Sequence, residues 1–129
     1  MDEQESAEMR RQLLRSVLEL ETKALNYLLV ANGAGLAGCL ATLKDYATVP
    51  QLQGIGTPIA IFSAGLISAA VAFFFFQLSN FELMKKVTVG DDEPTRGKFL
   101  IFIMNQAMSF SGACFIFAIL LISRKLASL

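Results

Sequence analysis

Three stretches of the chain carry no charged side chain: 20 residues at 24–43, 21 at 58–78 and 25 at 99–123. Within each, apolar residues run on without the two-residue alternation of a half-buried strand. A hydrocarbon core of ~30 Å takes about 20 residues of helix, and backbone groups in lipid find hydrogen-bond partners only inside a helix or a closed barrel. A barrel strand alternates in polarity, and a helix of a soluble bundle keeps a polar face. Val71, Ala72 and the four phenylalanines 73–76 offer neither. The pattern predicts an all-α fold, an integral membrane bundle of three transmembrane helices over 24–43, 58–78 and 99–123.

Ahead of the first span, residues 2–23 read as an amphipathic helix, with Asp2 or Ser6 as cap and acidic residues in the first turns, where they complement the helix dipole. Met9, Leu13, Val17, Leu20 and Ala24 recur at steps of three and four to form an apolar seam, while Arg10, Arg11, Arg15, Glu19 and Glu21 lie largely off it. No proline interrupts residues 2–43, so leader and first span form one rod of about 60 Å at ~1.5 Å per residue. The seam has three possible uses: packing on a neighbouring subunit as a short coiled coil, which ranks first, lying on the membrane surface, or folding back on the second loop. The chain divides into a leader, 1–23, and a transmembrane domain, 24–129. Pro50, Gly54 and Gly56 mark an irregular first loop, and Thr57 with Pro58 reads as the cap and first residue of helix two. Helix two continues through Gln77, Asn80, Glu82, Lys85 and Lys86 until Gly90 ends it.

Charge decides the orientation. Eight of the eleven Lys and Arg residues flank the inner side of such a topology: Arg10, Arg11, Arg15 and Lys23, then Lys85, Lys86, Arg96 and Lys98. Lys44, Arg124 and Lys125 fall on the other side, so the N-terminus and second loop are expected in the cytoplasm. The mostly polar leader does not resemble a cleaved signal peptide. Eleven acidic residues balance the eleven basic ones, which leaves no field to attract nucleic acid. Only 17% of residues are charged and 54% are hydrophobic, giving a mean hydropathy of +0.54. Histidine is absent, which removes the commonest general base and metal ligand. No nucleophile has an evident base, so no catalytic residue is assigned and the protein is read as not an enzyme.

Gly33-Ala34-Gly35-Leu36-Ala37-Gly38 spells the dinucleotide fingerprint G-x-G-x-x-G, but two membrane-length helices follow where the motif needs further βαβ units. As a packing surface the same run makes sense: Ala31 with Gly35, Gly33 with Ala37, and Ala34 with Gly38 are small-xxx-small pairs that admit a second helix closely. Helix two repeats the device with Ala60, Ala64, Ser68 and Ala72, flanked by Gly65 and Ala69, and helix three with Ala107/Ser111 and Ser109/Ala113. Asn32 lies about 12 Å from the inner end of its span and Asn105 and Gln106 about 9 to 10.5 Å, at ~1.5 Å per residue. An unpaired amide in lipid is costly, so Asn32 is expected to bond Asn105 or Gln106, within or between subunits. Joining helices is favoured over lining a wet pore or ligand cavity, since ion pathways carry ionisable residues within their spans.

Cys39 and Cys114 lie at similar depth near the outer face, where a disulfide is permitted, although small buried thiols are the commoner use. Asp91, Asp92 and Glu93 are adjacent carboxylates ahead of Pro94, as at a helix start; adjacent side chains diverge, so no metal or cofactor is assigned. Tyr27 and Tyr46 suit the two interfaces, and phenylalanines 73–76 suit lipid or a neighbouring helix.

The segment at 24–38, Ala-Leu-Asn-Tyr-Leu-Leu-Val-Ala-Asn-Gly-Ala-Gly-Leu-Ala-Gly, following a charged leader, resembles the first membrane helix of small bacterial inner-membrane proteins with an Asn-Gly-small signature. The resemblance covers the first third of the chain and implies a bacterial inner membrane and three or four helices, with no activity. The overall plan is also similar to phage holins and to membrane effectors of antiphage systems. Two functions are therefore expected: an assembly or accessory subunit of a homo-oligomer or larger membrane complex, or, as the alternative, a pore-forming or membrane-disrupting effector.

Overall fold

The computed structural model describes residues 3–45, 54–89 and 96–127. They form three long helices, α1 (Glu3–Ala41), α2 (Gly56–Val89) and α3 (Lys98–Ala127), with one short 3-10 turn at Leu43–Asp45, and no strand occurs among the described residues. Each helix is long and apolar enough to cross a membrane. The chain is a multi-pass membrane protein of the all-helical class. The expected cap at Asp2, the loop residues Tyr46 and Pro50, the end of helix two at Gly90, the acidic cluster Asp91, Asp92 and Glu93, and Pro94 lie outside the described residues.

The glycine run at 33–38 is helical throughout, inside an α1 that continues unbroken from the leader. The start of α2 is fixed by Gly54, whose φ of 85° is a left-handed conformation that glycine adopts without steric cost. Its carbonyl accepts from the Thr57 amide, and the Ile59 amide bonds Ile55 as the helix gets under way. Helix two thus begins at Gly56, one residue before the expected cap, and reaches Val89, well past its charge-free stretch.

α2 is the central element, packing most extensively on α3, next on α1, while α1 and α3 touch least. Its buried residues are Pro58, Phe62, Gly65, Ala69, Ala72, Phe76, Ser79 and Leu83. The steps between them alternate four and three, a mean period of 3.5, which is the seam of helices crossing at a shallow left-handed angle. α1 buries Leu25, Asn32 and Cys39 at steps of seven, and α3 buries Met104, Ser111 and Ala118 at the same step, with Cys114 between. The three seams enclose two apolar clusters. One gathers Leu25, Ala72, Phe76 and Met104, the other Cys39, Ile55, Phe62 and Ala118. Phe62 and Phe115 face each other in the second, ring centroids 6.1 Å apart. Of the four consecutive phenylalanines only Phe76 is buried, and Phe74 points outward.

This period explains which small residues pack. A strict step of four on a 3.6-residue helix turns about 40° each time, so the expected stripe on α2 winds across the surface. Ala60 is exposed, Ala64 and Ser68 are half-buried and only Ala72 is fully buried. On α1, Ala31 and Gly33 are half-buried, Ala34, Ala37 and Gly38 are exposed, and Gly35 meets α2. A Cβ on Gly35 would run into the Phe62 ring, whose Cζ lies 2.5 Å from that position, whereas nothing stands within 4 Å of a Cβ on Gly38.

The leader packs differently from its apolar pattern. Met9, Leu13, Val17 and Leu20 are 50%, 61%, 42% and 66% exposed. Leu18 packs against the cluster of Leu25, Ala72, Phe76 and Met104 in their place. Burial along α1 follows the seven-residue step set by Leu25 and Asn32, and position 18 continues that register while the sequence seam falls on another side.

Gly35→Ala should destabilise the bundle by about 1–3 kcal/mol, the usual cost of overpacking, and Gly38→Ala should leave it unchanged or slightly more stable. Unfolding of the two variants in detergent checks the contrast; equal losses would refute the assigned packing face.

Candidate functional site at the centre of the bundle

Between the two apolar clusters all three helices share polar contacts. Asn32 of α1 is fully buried, as is Ser111 of α3. The Asn32 Nδ2 group donates to the Leu28 carbonyl one turn back at 3.0 Å and to Ser111 Oγ at 3.1 Å, and approaches the Ser111 carbonyl at 3.4 Å. Ser111 Oγ in turn donates to the Gly65 carbonyl of α2 at 2.8 Å. A hydroxyl has one proton, so Ser111, giving its own to Gly65, must accept from Asn32. The amide orientation follows: the end facing these oxygens has to be NH2. The result is a directed chain, amide to hydroxyl to backbone carbonyl, running α1 to α3 to α2.

Gly65 makes this chain possible by what it lacks. A Cβ there would overlap Asn32 Oδ1, would stand 2.8 Å from Asn32 Cγ and would stand 3.0 Å from Cys114 Cβ. Asn32 Oδ1 itself is buried without a conventional partner. The missing Cβ means that a Gly65 Cα–H faces this oxygen, a weak C–H···O contact of the kind found where helices approach closely. One turn along, Ser68 Oγ donates to the Ala107 carbonyl at 3.0 Å. α2 and α3 therefore exchange serine-to-backbone bonds in both directions. Cys39 and Cys114 are buried free thiols, one in the cluster with Phe62 and the other beside Gly65.

Asn105 and Gln106 do not join Asn32 within the chain. Both are exposed on the outside of α3, about 120° one way and 140° the other way round the helix from Ser111 at 100° per residue. The hydroxyl that takes their place stands at a position where sequence reading saw only a small residue paired with Ala107. The seven-residue spacing of Met104, Ser111 and Ala118, matched to that of Leu25, Asn32 and Cys39, is the signal that could have found it.

A second polar feature was not legible from spacing. Arg96, just before α3, forks onto Glu21 of α1 with Nη1 to Oε2 at 2.6 Å and Nη2 to Oε1 at 2.9 Å. The side chains are only 7% and 19% exposed respectively. Gly97 follows, and a Cβ there would come 3.0 Å from Glu82 Oε2 of α2. Contributions from all three helices thus converge at this end too. A two-pronged pair fixes direction as well as distance.

Chemically, the central node consists of a neutral amide, a hydroxyl and a backbone carbonyl, which hold geometry without exchanging charge. Among the described residues no three His, Cys, Asp or Glu side chains gather as a metal site. Comparison with known protein families, with curated proteins and with solved structures finds no match for this chain.

Interhelical hydrogen bonds in membranes average about 0.6 kcal/mol and reach about 1.7, less than a steric overlap costs. Ser111→Ala should therefore destabilise the bundle less than Gly65→Ala, and Asn32→Ala combined with Ser111→Ala should be non-additive. A double-mutant cycle of detergent or denaturant unfolding reads both; strict additivity would break the proposed chain of bonds. Arg96→Ala leaves a mostly buried carboxylate without its fork and should cost on the order of 3 kcal/mol. Replacing both Arg96 and Glu21 by uncharged residues should recover part of that loss, and a double variant less stable than Arg96→Ala would contradict the pairing.

Proposed function

We propose that this membrane protein is a non-enzymatic assembly or accessory subunit of an oligomeric complex in a bacterial inner membrane, with its N-terminus in the cytoplasm. One observation carries the reading. The leader is continuous with the first membrane-length helix, yet its apolar residues Met9, Leu13, Val17 and Leu20 are largely exposed on the isolated chain. An apolar row held along a straight rod has little reason to exist unless another helix covers it. The bundle below is held by close packing and uncharged hydrogen bonds, as suits a platform. The alternative effector reading draws on intramembrane amides, and of these Asn32 is occupied in holding the bundle together while Asn105 and Gln106 face out of it.

Native mass measurement of the full chain extracted from membranes should report an assembly heavier than one copy. Leu13→Glu combined with Leu20→Glu should lower that mass while leaving the unfolding temperature of the bundle unchanged. A wild-type monomer, or an assembly indifferent to both substitutions, would reject the reading. Membrane leakage on expression, abolished by substituting Asn105 and Gln106, would favour the effector instead.

A further inference from the structure

On α3 the side opposite the bundle has a composition unlike a lipid-facing surface. Phe102, Gln106, Ser109, Ala113, Ile116 and Leu120 are all exposed. They follow one another at steps of four, three, four, three and four, the same 3.5-residue period as the buried seam of α2. Asn105, also exposed, flanks the seam, about 100° round the helix from Gln106. Thus an amide and a hydroxyl lie in this face with a second amide at its edge, within the 25-residue charge-free stretch, between apolar residues at either end. Among the described residues none of these three side chains makes a hydrogen bond within the chain. Ser111, the polar residue on the opposite side, is bonded to both other helices.

In water such a face would need no explanation. In hydrocarbon, amide and hydroxyl groups without partners carry a desolvation cost that a neighbouring helix removes. The small residues Ser109 and Ala113 at the middle of the seam allow the neighbour to come close, and the 3.5-residue period suits a left-handed crossing.

We propose that this face receives α3 of a second copy of the chain, side by side and parallel in the membrane. The choice of occupant rests on self-complementarity. Two copies with the same orientation are related by an axis along the membrane normal, which sets Gln106 opposite Gln106 and Ser109 opposite Ser109 at equal depth. An amide carries donors and an acceptor, so each satisfies its own symmetry mate, and no charge on the face opposes the approach. The inference rests on the assembly reading and deepens it by naming a partner. Its contact surface is separate from the leader, so the two can fail independently.

The experiment is oxidative cross-linking of full-length protein in native membranes. Cys39 and Cys114 are buried, so the unaltered chain serves as the blank. Ser109→Cys and Ala113→Cys should each give a covalent dimer of this chain. Phe110→Cys, exposed at the same depth but flanking the seam, should give clearly less. Asn105→Leu with Gln106→Leu should weaken the dimer roughly tenfold or more, as interhelical amide bonds of known strength imply. The same pair should leave unfolding of the three-helix bundle unmoved. The proposal is overturned if the seam cysteines stay monomeric, if Cys at 110 cross-links as well as Cys at 109, or if cross-links capture only another protein. Fast labelling at 109 by a water-soluble, membrane-impermeant maleimide would overturn it too, since the face would then line a wet channel. Loss of the leader-dependent assembly with intact cross-linking at 109 would sink the earlier reading alone.

Discussion

Helices already in lipid gain almost nothing from the hydrophobic effect by meeting one another, because lipid tails are as apolar as leucine. What joins these three is therefore geometry at short range, and the geometry turns on the contact between Asn32 and Gly65. One lacks a side chain where the other needs room. Through that gap Asn32 reaches Ser111, and Ser111 reaches back to the carbonyl of Gly65 itself. The hydrogen bonds are individually weak in membrane terms, and they specify more than they stabilise. An asparagine at one register position of an apolar seam admits only the alignment that gives it a partner, as a buried asparagine does in a coiled coil. Slippage of α1 by one turn would take Asn32 away from Ser111 and from the gap at Gly65, toward one of the flanking apolar clusters.

The ion pair between Glu21 and Arg96 does for one end of the bundle what the amide chain does for its middle. Neither feature alone defines how α1 sits, since a single anchor leaves a helix free to rotate or swing about it. Two anchors on the same helix, one near the charge boundary and one deep in the apolar layer, remove that freedom. The apolar clusters above and below the central node then fill space without having to select an alignment.

Much of this is legible in the sequence. Lengths and charge-free runs were enough for three helices and for the unbroken join between leader and first span, because lipid permits so few backbone arrangements. Small residues matter where helices come close, as Gly35 and Gly65 show. Rows at steps of four look aligned on paper but rotate around a real helix, so Ala60 and Gly38 face away while the 3.5-residue seam selects others. The partner of Asn32 was missed for a related reason. Matching amide with amide by depth ignores azimuth, and azimuth put Asn105 and Gln106 outside. The fork between Glu21 and Arg96 could not be read at all, because it joins residues far apart in sequence whose meeting depends on how the helices cross.

One mechanical consequence follows from α1 being a single stiff element. From Glu3 to Glu21 it runs about 27 Å, and Glu21 stands about 16 Å from Asn32, at ~1.5 Å per residue. The ion pair is then a fulcrum, with the longer arm outside and the shorter one ending at the amide. Whatever pushes the leader sideways applies torque to the bundle's centre, reduced in travel but multiplied in force.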